Sequence, residues 1–352
     1  MFSITDNKWE IIKKKYSDYW NRENHDRPIM YIHAGIKHGH FMESPDNLEK
    51  RWLDTEDVVR RVKNNMQYAS YAGEGYPYYM PNLGPDILGA ILGCELILGA
   101  HTTWADHNVS DLSNLPVLRF NEKNKWWLKI EELTNAFAED AKNGDYMVGL
   151  TDLHPGLDAL AALRGSEALC YDLIDCPDEV HKRTNECYFV YKETLGRLFT
   201  ILERYQKGST HWMSIWHPNR WYNVSCDFMC VLSGEMFDDF VMPEIEKELA
   251  ILDASMFHLD GEQAIRHLDK LLGMDKINGI QWVFGAGKPS ASHWIPLLQR
   301  IQDAGKNIHI DVLPHEIKTL CENLRPEGLM FNISAASVDE ANQMIKAAED
   351  CY

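Results

Sequence analysis

Between residues 255 and 333 the sequence reads SMFHL (255–259), GIQWVF (279–284), NIHID (307–311) and GLMFNI (328–333). Each run is about five residues long, a usual strand length. Amphipathic stretches at 262–272, 291–304 and 314–323 separate them. Strands alternating with helices through short loops must run parallel and cross over right-handed. Working outward, similar runs occur at IMYIH (29–33), ELILG (95–99), YMVGL (146–150) and HWMSIW (211–216). Further helices are expected at 125–142, 157–173, 177–206, 233–253 and 337–350. Pro177 before Asp178 and Glu179 suits a first turn, and Ser337 with Glu340 forms a capping-box pattern. Eight strands predict an α/β fold closed into a (β/α)8 TIM barrel with helical N-terminal additions. A doubly wound open sheet is the alternative, which no glycine-rich phosphate loop supports. A helical excursion at 46–69 is expected to cap one mouth, so residues 1–90 would hold the lid elements of a single 1–352 domain.

The chain has 352 residues and a formal net charge of −18, without a long acidic run. That excess disfavours nucleic acid and anionic membrane surfaces as partners. Eight cysteines occur, none in a C-x-x-C pair, so no disulfide framework is expected and a reducing cytoplasm fits best. The opening MFSITDNKWEIIKKK lacks an apolar signal-peptide core. The apolar stretch Asp86–Ala100 carries two acids and is too short to span a bilayer.

Barrel sites form where strands end and the following loops begin. Asp152 and His154 follow the 146–150 run, and His217 follows 211–216. Residues two apart on a strand share a face, so His258 pairs with Asp260 and His309 with Asp311. An imidazole and a carboxylate converging at a mouth can bind a metal or act as acid and base. Each pair can equally be a hydrogen-bonded core element, and Asp152 can equally cap the helix beginning near Gly156. Gln281 and Trp282 stand on their strand, and Asn332 near the end of the last one. Trp104, Trp212, Trp216, Trp221, Tyr222 and Trp282 together suit a flat or apolar ligand, although such aromatics are more often packing. Asp227 is expected to reach the pocket, whereas Glu235 reads as a helix first-turn carboxylate.

Several segments resemble the uroporphyrinogen-decarboxylase-like superfamily. They are Thr151-Asp-Leu-His-Pro-Gly-Leu-Asp-Ala-Leu-Ala-Ala-Leu-Arg-Gly165, the stretch from Ser225 to Pro243, Phe257-His-Leu-Asp-Gly261 with Ile265–Asp269, and Ile280–Gly287. Arg27-Pro28 and the segment from Asp86 also fit. The nearest branch resembles corrinoid methyltransferases and proteins called trimethylamine corrinoid protein. The resemblance implies either cofactor-free decarboxylation or methyl transfer involving a corrinoid, usually with zinc. Two departures bear on the choice. The decarboxylases' arginine-bearing loop is replaced by His33–His40, which has no arginine. The zinc methyltransferases' His-x-Cys reads His258-Leu-Asp260 here, and their cysteine near the last strand is absent around Asn332–Ala335.

Methyl transfer between a small methylated donor and a corrinoid protein or cofactor is therefore the leading expectation. A carboxy-lyase and a non-catalytic ligand-binding barrel remain alternatives. The expected catalytic residues are His258, Asp260, Asp152, His154, Asp227 and Asp311. Asp86, Trp216, His217, Tyr222, Gln281, Trp282 and Asn332 are the expected substrate contacts. His258 and Asp260 could hold Zn2+ through nitrogen and oxygen, with the corrinoid supplied by a partner protein. The sequence secures no further ligand, so metal-free acid–base work by His258 is slightly favoured. The superfamily also suggests a homodimer, although no interface is fixed.

Overall fold

The computed structural model describes residues 6–36 and 40–352. Its eleven strands are β1 (Ile29–Ile36), β2 (Ala69–Gly73), β3 (Tyr78–Tyr79), β4 (Glu95–Leu98), β5 (Thr103–Asp106), β6 (Met147–Val148), β7 (Trp221–Ser225), β8 (Ala254–Asp260), β9 (Gly279–Val283), β10 (Asn307–Asp311) and β11 (Leu329–Ala335). Seven form one sheet in the order β2-β1-β11-β10-β9-β8-β7. All neighbours in it pair parallel except β1 and β2. The six parallel strands therefore end at one edge. Outside this sheet, β3 pairs parallel with β6. The chain beyond β6 is bonded onward, with Leu150 N–H donating to the Thr210 carbonyl at 2.9 Å.

Strand alternation divides the side chains between two cores. On β9, Ile280 and Trp282 face the surrounding helices, while Gly279 and Gln281 face the other way. Ile280, Trp282, Phe257, Ile310 and Phe331 belong to the large core shared with the helices. The opposite, inner face carries Ile29, Tyr31, Trp221, Met256 and Met330, which pack in a second core with Tyr16 and Tyr19. Both tyrosines lie on the helix Asp6–Asn21, which the sequence reading did not include. Tyr19 donates to the Ile308 carbonyl at 3.2 Å and Tyr16 to that of Ser214 at 3.0 Å. A buried bidentate pair, Arg27 with Glu74 at 2.9 and 2.7 Å, ties the approach to β1 to the end of β2.

Several expected elements differ. ELILG is β4, but it pairs antiparallel with β5 in a separate hairpin. HWMSIW is not a strand: Ser214 adopts φ +59°, and the run is apolar because Met213, Ile215 and Trp216 join the second core. The strand there is WYNVS, β7. Strand β2 adjoins the helices Leu48–Leu53 and Thr55–Met66, where only a helical excursion was expected. The 157–173 helix is two helices, Gly156–Arg164 and Ser166–Asp175, divided at Gly165. Gly165 holds φ +85°, a conformation glycine adopts without Cβ strain. The 233–253 helix contains a π turn at Phe237–Val241, just before Pro243, which has no N–H to continue the ladder. Among the described residues, no helix is long and apolar enough to cross a membrane.

Candidate functional site

At the carboxyl edge of the sheet the loop after β6 brings Asp152 and His154 toward β7 and β8. Tyr222 fixes that loop from below. Its hydroxyl donates to the Thr151 carbonyl at 2.5 Å and accepts from Leu153 N–H at 2.8 Å. Tyr222 is therefore an anchor for the site loop and is fully buried. Replacing it with phenylalanine should cost about 2 kcal/mol, since two buried backbone groups lose their partner. Urea unfolding of the variant measures this; an unchanged midpoint would show that the loop is held otherwise.

Asp152 does not cap the following helix, whose N-cap is Pro155 without a side-chain bond. Its Oδ2 instead meets His154 Nε2 at 3.1 Å. His154 Nδ1 lies 3.3 Å from Ser225 Oγ and 3.6 Å from Asp158 Oδ2. Both ring nitrogens thus have protein partners. Burial alone would lower the His154 pKa, but the Asp152 and Asp158 carboxylates hold it well above its ordinary value. Two carboxylates flanking the ring thus favour its protonated form. Burial likewise opposes ionisation of Asp152, yet His154, His211 and His258 keep its pKa below the usual carboxylate range.

Asp158 also accepts the backbone N–H groups of Asp227 and Phe228, each at 2.9 Å. This clamps the turn after β7 and places Asp227 between two histidines. Burial and the Asp158 carboxylate raise the Asp227 pKa, with Asp260 adding and His154 and His258 opposing. On β8, His258 Nδ1 lies 2.6 Å from Gln281 Oε1. An amide oxygen only accepts, so this nitrogen carries the proton and Nε2 presents a lone pair in the neutral ring. Nε2 faces Asp227 Oδ1 at 3.9 Å. Trp212 stands edge-on to the imidazole, with ring centroids 5.0 Å apart.

Ligating atoms of Asp227, His258 and Asp260 all lie within 4.8 Å of one another, as do those of His154, Asp158 and Asp227. Asp311 is in neither group; it is exposed at the end of β10 and accepts from Asn332 Nδ2 at 2.7 Å. A cleft of about 510 Å³ opens beside the cluster, lined by Asp86, His107, His154, Asp158, Asp227 and neighbouring residues. The Asp86 carboxylate also accepts Ala105 N–H at 2.8 Å, which fixes that wall.

Three expected substrate contacts lie elsewhere. Trp216 packs on Trp9, with centroids 6.0 Å apart, and its carbonyl accepts from Trp20. His217 also stacks edge-on with Trp20, so both meet the Asp6–Asn21 helix and not the cluster. Trp282 faces the helices, 5.0 Å from Trp294, because its strand neighbour Gln281 takes the inner face. Lys37, His38 and Gly39, in the loop that departs from the resembling decarboxylases, lie outside the described residues. The sequence reading missed Asp158, Ser225, His211 and Asn223 as site residues. Asp158 had a legible signal, one helical turn beyond His154 (i, i+4). Asn223 and Ser225 had none, since their strand was not foreseen.

Fold and site together define an α/β protein with a polar His/Asp constellation at the carboxyl edge of a parallel sheet. Among solved structures the chain is similar to a methyltransferase from Methanosarcina mazei, with a TM-score of 0.62 and 12% identity, covering 96% of this chain and 98% of that one. At that identity the likeness establishes a shared fold. No protein-family profile and no curated sequence matches the chain.

Proposed function

We propose that this protein is a methyltransferase of the uroporphyrinogen-decarboxylase-like type, moving a methyl group between a small methylated donor and a corrinoid carried by a partner protein. The observation that carries the reading is the Asp227–His258–Asp260 trio, whose Asp227 lines the cleft. Its finer fold, on this reading, is a (β/α)8 barrel whose remaining wall comprises β3, β6 and the chain around Thr210. The hydrogen bonds from Leu150 to Thr210 and from Gly149 N–H to the Tyr79 carbonyl support that closure.

The trio fits a divalent cation. Gln281 directs the His258 lone pair outward, and two carboxylates supply hard oxygen donors without a thiolate. Asp227 is the third donor that sequence alone did not secure. A bound cation would act as a Lewis acid on the heteroatom bearing the methyl group. His154 balances the charge of Asp152 and Asp158 and so holds the Asp227 turn in place. Asp227, which lines the cleft, would hold the cation on the side open to substrate. The low identity to the methyltransferase from Methanosarcina mazei agrees with this reading through the fold alone.

Elemental analysis of protein purified without chelator should find a stoichiometric divalent metal, lost in Asp260→Asn. Turnover should appear as spectral change of methylcobalamin or a corrinoid protein when methylated amines, ethers or thiols are supplied. Carbon dioxide release from a carboxylated substrate without cobalamin would overturn the assignment.

A further inference from the structure

Six side chains below the trio hold buried polar atoms without a side-chain hydrogen-bond partner: Thr151 Oγ1, Asp152 Oδ1, His211 Nε2, Trp212 Nε1, both amide atoms of Asn223 and both ring nitrogens of His309. Thr151, His211 and Asn223 are 1%, 0% and 1% exposed. They converge on the inner face. Strand register pairs Ser225 with His258, His258 with Gln281, and Gln281 with His309. These four form a polar belt on that face, and Asn223 lies two residues below Ser225 on the same side. Trp212 meets His258 edge-on, and the His211 ring lies 4.1 Å from that of Trp221. An unmet buried donor or acceptor costs about 1–3 kcal/mol, and native interiors hold few. This concentration of unmet polar atoms beneath His258 is what the donors and acceptors of a ligand would satisfy.

We propose that the inner face beneath His258 is a chamber for a compact, uncharged ligand bearing both hydrogen-bond donors and acceptors. His211 Nδ1 accepts Met213 N–H at 3.4 Å, so its Nε2 carries the proton and donates into the chamber. Trp212 Nε1 is also a donor, Asp152 Oδ1 is an acceptor, and Asn223 offers one group of each kind. No lysine or arginine is among these residues, and the Asp152 charge is already balanced by His154. Burial holds His211 and His309 neutral, with pKa values of about 3 and about 4. An ionic ligand would be stripped of water there without an opposite charge. The chamber would seat the polar body of the substrate with its reactive heteroatom toward His258. This rests on His258 as the reacting centre, and does not depend on the transferred group being methyl.

The probes are acetamide and glycerol, set against acetate and methylammonium. The readouts are the imidazole ¹H–¹⁵N signals of His211 and His309 and the thermal midpoint, so no turnover is needed and failure of the methyl-transfer reading would leave the test intact. Acetamide and glycerol should move the His211 signal and raise the midpoint of the wild-type protein. Asn223→Leu should abolish both effects while its own midpoint stays equal or rises, because unmet polar atoms are removed. Equal responses to acetate or methylammonium would overturn the inference. So would probe responses that survive in Asn223→Leu, or a variant midpoint several degrees lower, which would mark Asn223 as structural.

Discussion

Replacing His258 with alanine is expected to lower turnover by about 10³-fold while the protein remains folded. The expectation follows from the ring's placement. Its Nδ1 is committed to Gln281, so all its chemistry passes through Nε2, which faces Asp227. Removing the ring leaves the Gln281 amide, 4% exposed, without its partner, so some loss of stability, about 1–2 kcal/mol, should accompany the change. Gln281→Leu separates orientation from chemistry. It keeps the imidazole but frees its tautomer, and a lost outer partner of this kind costs about 10–100-fold. The expected order of damage is therefore His258→Ala greater than Gln281→Leu, measured as kcat/KM beside a urea midpoint. Full activity in His258→Ala would remove the trio from the mechanism. Gln281→Leu falling as far as His258→Ala would mean that Gln281 does more than orient the ring.

How much of this was legible beforehand depends on which force writes the signal. Runs 255–259, 279–284, 307–311 and 328–333 are strands because parallel strands flanked by helices must be apolar on the helix side, and that apolarity is visible. The same rule failed at HWMSIW. There the apolar residues are held by Tyr16 and the rest of the second core, a tertiary contact almost two hundred residues distant in sequence. The true strand, WYNVS, is fully buried but carries Asn223 and Ser225, so its inner-face polarity hid it. The pairing of His258 with Asp260 was readable from the two-residue strand period. Their companion Asp227 could be suspected, but its position depends on the Asp158 carboxylate gripping two backbone N–H groups across the fold. Gln281 and Trp282 are adjacent on one strand, so both cannot face the site; Gln281, the outer partner of His258, takes the inner face and Trp282 packs against the helices.

Acidification is expected to destabilise the protein steeply between pH 6.5 and about 4, before most carboxylates are protonated. The cause is the pair of buried imidazoles. Burial lowers His211 from 6.5 to about 3 and His309 to about 4. In that interval the unfolded chain binds protons that the folded chain refuses, so stability falls as pH falls. At about 1.4 kcal/mol per pH unit, His309 alone costs roughly 3 kcal/mol by pH 4, and the two together of order 6 kcal/mol. That is comparable to the whole stability of many domains. His154 acts in the opposite direction: its raised pKa gives stability fully present below pH 6.5 and lost as pH rises through its folded value. Asp152, with its lowered pKa, contributes stability above its unfolded value that is lost only as pH falls through the folded one, below the interval in question. The loss between 6.5 and 4 should therefore belong chiefly to His211 and His309, with His33, His217 and His267, also lowered by burial, adding to it and the raised Glu248 and Asp227 carboxyls opposing it. Urea unfolding at a series of pH values tests it, with His211→Asn and His309→Asn each flattening the slope over that interval. An identical pH dependence in both variants would show that these rings take up protons in the folded state, and the uncharged chamber beneath His258 would lose its electrostatic basis.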